Sequence, residues 1–428
     1  MRGVYVLLLI SLLGYTGRVS GQESVTITQC YEWARANYPQ IHQMGLIDQT
    51  ERYSLSNVGK AWLPQLSVSG KASYQSDVTK LPLDGDKISS LLPGFEIPSL
   101  SKDQYQVVAQ VDQTIWDGGS TRSARALTRA EAIANREQLE SELYALNDRV
   151  NQIYFGCLLQ DELIRQNALL QKELQVNIER IEAMMENGVA NQSDLESMEV
   201  ELLNARQNEI ELKASRTVYR QMLATFINKP LTDQVVLKTP ESPERSLSTQ
   251  INRPELRALD AKSEWIETQN KQVTAGLMPR IGAFVQGGYG RPGLNMLEDS
   301  FEPYYVAGVR LSWNLGKLYT LKNDRRKIEV SRRHIDVQRE TFLFNTRLQL
   351  LQQNTEIKKM TDLMRADDDI IRLRTSIKQA AEVKLENGVI SVTDLIREIN
   401  AEDMARQTAA AHRVQRLMTI YNYMYTTN

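Results

Sequence analysis

The side chains best suited to chemistry are few and scattered. His42, His334 and His412 lie too far apart for paired metal-ligand spacing, and no His-Glu-x-x-His stretch occurs, so surface or packing roles are expected for all three. Asp84-Gly85-Asp86 opens like a calcium loop, but Ser89 stands where the sixth position needs glycine and Phe95 where the twelfth needs an acid. There is no glycine-rich phosphate loop, no Gly-x-Ser-x-Gly elbow and no setting for a cysteine nucleophile. The expectation is a protein that is not an enzyme and carries no metal or cofactor. Cys30 and Cys157 fit either a disulfide in an oxidising compartment or, better, apolar packing on helices. The charges with the best-defined positions are Asp194 and Asp394, with Arg397 three residues after the second. Carboxylates at a narrow mouth favour cations, and a carboxylate at a helix start also caps free N–H groups.

Those aspartates belong to a phrase that the chain states twice. Glu186-Asn187-Gly188-Val189, Asp194-Leu195 and Ala205-Arg206-Gln207 recur 200 residues later as Glu386-Asn387-Gly388-Val389, Asp394-Leu395 and Ala405-Arg406-Gln407. Asn-Gly followed by Ser193-Asp194 or Thr393-Asp394 reads as helix end, tight turn and N-capped restart, with each aspartate as the cap. Further matches relate Leu63-Pro64 to Met278-Pro279 at an offset of 215, and Val111, Ile115 and Gly118 to Val309, Trp313 and Gly316 at 198. One architecture is built twice. The expected division is a leader at 1–21, a first repeat at 22–230, a linker at 231–251 rich in Pro, Ser and Thr, and a second repeat at 252–428.

A formal net charge of −2, without a basic patch or zinc-finger spacing, excludes a nucleic-acid partner. Arg2, the apolar run Val4 to Leu13 and Val19-Ser20-Gly21 read as a secretory leader cleaved before Gln22. After it no apolar run reaches the length of a membrane-spanning helix, so any crossing must use strands.

Strand signals are present. Leu66, Val68, Gly70, Ala72 and Tyr74 alternate with polar residues, and Tyr105, Val107, Ala109, Val111, Gln113 and Ile115 form a second alternating segment. The second half repeats the pattern in Ile281 to Tyr289 and in Tyr305 to Trp313. Strands of about ten residues have the length of a tilted outer-membrane strand, and their terminal Tyr and Trp suit an interfacial aromatic girdle. Loops are expected at Gln75–Lys102 and Gly290–Pro303. The remainder reads as helix: 25–62 with Thr28 as cap and a break at Tyr38-Pro39, then Ser120–Asn187 and Lys317–Asn387, each roughly 100 Å long at 1.5 Å per residue. Return helices run from Asp194 to about Asn228 and from Asp394 to about Met424. Charges on these helices, including Asp367-Asp368-Asp369, are read as solvated faces.

Two halves with hairpins, Ile115-Trp116-Asp117-Gly118-Gly119 closing the second strand, and the two Gly-Val tips together resemble the outer-membrane efflux protein family, the TolC-like exit ducts. The resemblance covers essentially the whole mature chain. It implies a mainly α protein with membrane β: four strands and duplicated long coiled-coil helices per protomer. Three protomers would form a homotrimer with a 12-stranded barrel continued by a periplasmic α-helical tube. It further implies a passive duct of a tripartite efflux or type I secretion system in the outer membrane, touching outer-membrane lipid, a periplasmic adaptor and an inner-membrane pump. Geometry agrees, since four strands cannot close a barrel and open edges in lipid leave backbone groups unsatisfied. Gly188, Val189, Ser193, Gly388, Val389 and Thr393 would then form the adaptor contact at the periplasmic tips, and Asp194, Asp394 and Arg397 the aperture gate. The competing readings are a periplasmic adaptor, which would need lipoyl-like and barrel domains absent here, and a coiled-coil structural protein, which would lack membrane-length strands.

Overall fold

Alternation of apolar and polar residues produces the sheet expected of it. The computed structural model describes residues 24–79, 100–242, 249–296 and 298–428. The leader at 1–21 and the Asp84 loop lie outside the described residues. Strands β2 (Gln65–Tyr74), β3 (Asp103–Trp116), β5 (Arg280–Arg291) and β6 (Glu302–Ser312) form one antiparallel sheet in the order β2-β3-β5-β6. Directly opposed residues share a face, and the registers put like with like. Leu66, Val111, Val285 and Ala307 line up across all four strands, as do Val68, Ala109, Gly287 and Tyr305. The other face carries Ser67, Gln110 and Gln286 in one row. The apolar face is bare: Leu66, Val68, Tyr305, Val309 and Leu311 are each about 70% exposed or nearly so. β5 and β6 reach further than expected, so their loop spans only 292–301 and Gly290 and Pro303 are strand residues.

The chain divides into two compact units. One consists of His42–Ser141 and Arg253–Phe344 and holds the sheet; the other consists of Met1–Ile41, Glu142–Asn252 and Asn345–Asn428. Each unit draws on both sequence repeats. Helices α2 (Gln43–Gly59) and α6 (Pro254–Ala275) belong to the sheet-bearing unit, as does the first part of α3 (Ser120–Tyr144). Pro254 opens α6 at a position where its missing N–H is not needed.

In the other unit, α1 (Ile27–Asn37) is capped by Thr26 rather than Thr28. Thr26 receives the Gln29 N–H while its own N–H donates to Gln29 Oε1 at 2.9 Å, a reciprocal box that Thr28, already inside the helix, cannot make. Tyr38 turns extended before Pro39, as the proline ring requires. The expected helix Ser120–Asn187 is interrupted at Ala145, and α4 (Leu146–Glu186) follows. It packs against α5 (Gln192–Ile227), and at Gly156 the Tyr219 ring lies so close over the helix that a Cβ would stand 2.6 Å from it.

The core of this unit gathers Ile27, Cys30, Val150, Tyr154, Phe155, Cys157, Leu223 and Leu237. Both cysteines are free and fully buried, and desolvation pushes each thiol up to about 12. The 231–251 stretch is more than a linker. Its β4 (Val236–Leu237) pairs in parallel with β1 (Ser24–Val25), and the single Tyr154 hydroxyl proton is shared between Lys238 O at 2.6 Å and Val25 O at 2.9 Å. α7 (Lys317–Glu386) and α8 (Val392–Thr427) complete the chain. No helix among the described residues is long and apolar enough to cross a membrane.

Candidate functional site: the two hairpin tips

Both tips are closed by the same hydrogen bonds. Gly188 N–H donates to Met185 O at 2.9 Å and Val189 N–H to Met184 O at 2.9 Å; Gly388 and Val389 repeat this with Leu385 O at 2.9 Å and Lys384 O at 2.8 Å. This crossed pair ends a helix only if the intervening residue is left-handed. Gly188 (φ 73°) and Gly388 (φ 69°) meet that need, as few other residues do. Asn187 and Asn387 each turn Nδ2 back to a carbonyl four residues earlier, at 2.7 Å. The turn is therefore complete by Val189 and Val389, which stand 58% and 69% exposed with open space around both glycines.

Because the turn is that short, the return helices restart earlier than expected, and the caps move. Asn191 and Ser391 are the N-caps; Asp194 and Asp394 sit three residues in, and Ser193 and Thr393 lie between. Each aspartate closes a capping box. Asp194 Oδ2 accepts from Asn191 N–H at 3.1 Å, and Asp394 Oδ2 accepts from Ser391 N–H at 3.2 Å and from Ser391 Oγ at 2.7 Å. The Ser391 hydroxyl and backbone N–H, aided by Arg397, hold the Asp394 carboxyl below its ordinary range. Arg397 does not reach across to another hairpin in this chain; it pairs with Asp394 at 3.3 Å on its own helix and with Glu398 at 3.5 Å, its side chain 70% exposed.

The tips share one apolar cluster. Ile178, Ile181, Met198 and Leu202 from the first hairpin pack with Leu385, Val392, Leu395 and Ile399 from the second. Gly188, Val189, Asp194 and their counterparts are thereby brought to one end of one packed bundle.

Behind the tips lies a polar group that the reading of helix charges as solvated faces missed. Glu402 is 1% exposed, yet it pairs with Lys378 at 2.6 Å, accepts from Thr375 Oγ1 at 2.5 Å and receives Arg406 Nε at 3.0 Å. Lys378 also pairs with Glu173 on α4, so the group joins the two hairpins. Burial opposes the Glu402 charge, but these donors win and hold its carboxyl below the ordinary range. Its neighbour Asp403 has only Gln407 as donor, and desolvation pushes it up to about 6. The signal lay in the repeat itself. At the 200-residue offset Lys378 and Glu402 stand where the first copy has Ile178 and Leu202, an apolar pair replaced by an ion pair.

Of the three aspartates at 367–369, Asp367 is buried and meets His412 Nδ1 at 2.7 Å, while Asp368 and Asp369 are exposed. His334 is a surface residue bonded to Gln338. No cluster of His, Cys, Asp or Glu among the described residues has the shape of a metal site.

Residues 30–229 match the family model described as outer membrane efflux protein. Among solved structures the chain is similar to CusC, described in connection with transmembrane channel formation, with 13% identity, a TM-score of 0.66, and coverage of 94% of this chain and 92% of that one. It is similar to the outer-membrane channel OprN at 14% identity and TM-score 0.66, covering 94% and 89%. Similarity to VceC, an outer membrane protein of Vibrio cholerae, is 12% in sequence with TM-score 0.62, covering 93% and 95%. Identities this low speak for the fold alone. No curated protein sequence matches the chain significantly.

Proposed function

We propose that this chain, whose residues 30–229 match the model of the outer membrane efflux protein family, is the exit duct of a tripartite efflux or type I secretion system. It is an outer-membrane protein, and efflux through that membrane is its task. The finer reading is a homotrimer in which three sheets close into one barrel, fed by an inner-membrane pump through a periplasmic adaptor.

The observation that carries this reading is the sheet. β2 and β6 are its outer strands, ten and eleven residues long, and the outer edge of each finds no strand partner among the described residues. The face beside those edges is apolar and uncovered. In hydrocarbon an unsatisfied backbone group costs several kcal/mol, so such a sheet is stable in a bilayer only when its edges find each other. Joining β6 of one copy to β2 of the next satisfies both and turns the apolar rows outward.

The tips supply the rest of the proposal. Gly188, Val189, Ser193, Gly388, Val389 and Thr393 form the adaptor contact, since the two valines are apolar side chains held in solvent by a rigid turn. Asp194, Asp394 and Arg397 form the gate, where three copies would gather six carboxylates. The test is the mass of the full chain in detergent together with its gel migration before and after heating. Three copies per particle and a heat-modifiable form are expected. A monodisperse monomer that retains its β signal would overturn the duct.

A further inference from the structure

The helix end of the sheet carries an aromatic and basic cleft that the duct reading leaves unused. Its origin is a break in the strand period. β3 and β5 pair residue for residue from Tyr105–Arg291 to Thr114–Gly282, and then the register shifts so that Trp116 opposes Ile281. Ile281 belongs to the apolar face, being opposite Leu311. The irregularity at Ile115 therefore moves Trp116, which strict alternation would have assigned to the polar face, onto the apolar one. There it is half exposed, as is Trp62 at the foot of β2 to a lesser degree.

Trp62 and Trp116 line a cleft of ≈ 1020 Å³ together with Arg122, Arg125, Arg129 and Lys271. The three arginines follow one face of α3 at spacings of three and four, and all four cations are exposed. None of the four forms an ion pair or hydrogen bond among the described residues. The acidic residue lining the cleft, Asp117, is occupied in accepting the N–H groups of Gly119 at 2.8 Å and Thr121 at 2.6 Å. The excess is thus three positive charges beside the end of an apolar face. The dipole of α3 does not account for Arg122, since a cation in the first turn opposes it and α3 has no acid there. The second copy keeps the same sign: α7 opens with Lys317, Lys322, Arg325 and Arg326, also without a first-turn acid.

We propose that this cleft binds the headgroup of an anionic phospholipid from the periplasmic leaflet of the outer membrane. The acyl chains lie along the apolar row that ends at Trp116, the indoles sit at the headgroup level where such rings concentrate, and the phosphodiester is held by the guanidinium groups. The occupant follows from this order of apolar row, aromatic pair and cations, which matches a lipid from tail to headgroup. The inference deepens the duct reading and rests on it, because it needs the sheet to cross the membrane.

The test uses native mass spectrometry of the full chain in detergent with phosphatidylglycerol, phosphatidylcholine or inorganic phosphate added. Phosphatidylglycerol should be retained at least about tenfold better than phosphatidylcholine, and inorganic phosphate should not displace it. The single variants Arg122→Gln, Arg125→Gln and Arg129→Gln should each lose about fivefold, as expected for one cation near an anionic surface. A double variant of exposed arginines on α7, Arg365→Gln with Arg372→Gln, should lose nothing. Heat-modifiable migration is read on every variant, which shows whether the barrel is intact. Equal retention of the two lipids by an intact barrel, displacement by inorganic phosphate, or an equal loss in the α7 double variant would overturn the proposal alone. A wild-type chain without a heat-modifiable form would overturn it together with the duct.

Discussion

Asp403 shows how one side chain can set a pH response. Its folded carboxyl titrates at about 6, above the ordinary 3.8, because desolvation disfavours the charge. Between those values the folded state holds a proton that the unfolded state has released. The group therefore favours folding fully below about pH 4, and that contribution is lost as pH rises through 6. Asp403→Asn mimics the neutral form and should raise stability at pH 7 by about 1 to 2 kcal/mol with little effect at pH 4, read by thermal unfolding across that range. Gly156 tests packing. Gly156→Leu drives a side chain into the Tyr219 ring and should cost at least about 1–3 kcal/mol, visible as a lower unfolding temperature. At the tips, replacing Asp194 and Asp394 together by Asn keeps an acceptor for the N-cap N–H and removes the charge. Trimers should persist while cation selectivity in planar-bilayer recordings falls. Unchanged selectivity would leave the aspartates as capping-box partners only. The positions of these aspartates were legible from the repeat, but their exact place in the helix was not, because a three-residue shift depends on how quickly the Gly-Val turn closes.

Among the elements, the strands were the most legible. A sheet with one apolar face needs alternation, and β2, β3, β5 and β6 largely alternate, with Gln113 on the apolar face and Val108, Phe284 and Val306 on the other as exceptions. Trp116 escaped because a register shift breaks the period of two without leaving a mark on composition. The long helices were legible in extent from their lack of proline, but Lys378 and Glu402 were not legible in role. A charged residue on a long helix is usually solvated; the repeat places this pair where the first copy has Ile178 and Leu202, but only tertiary packing shows that it is buried and joins the two hairpins. The tip turns yield an element-scale prediction. Their glycines have left-handed backbones but open space, so bulky residues at Gly188 and Gly388 strain the turn and cover the surface beside Val189 and Val389 without touching the core. Efflux should be abolished in cells carrying Gly188→Trp with Gly388→Trp, while trimers still form. Normal efflux by such trimers would remove the tips as the docking surface.

For the whole molecule, orientation follows from connectivity. Helices α2, α3, α6 and α7 all join the sheet at one end, so the connections from β2 to β3 and from β5 to β6 leave from the other end, which the proposed duct would turn to the cell exterior. An epitope inserted after Gly293 should be reached by antibody on intact cells. Labelling that requires a permeabilised outer membrane would reverse the orientation.

The pairing of β3 with β5 also constrains the order in which the molecule can be made. Val107 meets Tyr289 and Val111 meets Val285, partners far apart along the chain. The first hairpin thus emerges with its apolar rows formed and one edge waiting until α4, α5 and α6 have all followed. Contacts of such long sequence separation form slowly, and an apolar strand edge left waiting is open to aggregation. A chain stopped before Arg280 should accumulate as aggregate rather than as a shorter barrel. The duplicated design therefore makes assembly a late event, in which the first half needs protection from its surroundings until the second half arrives.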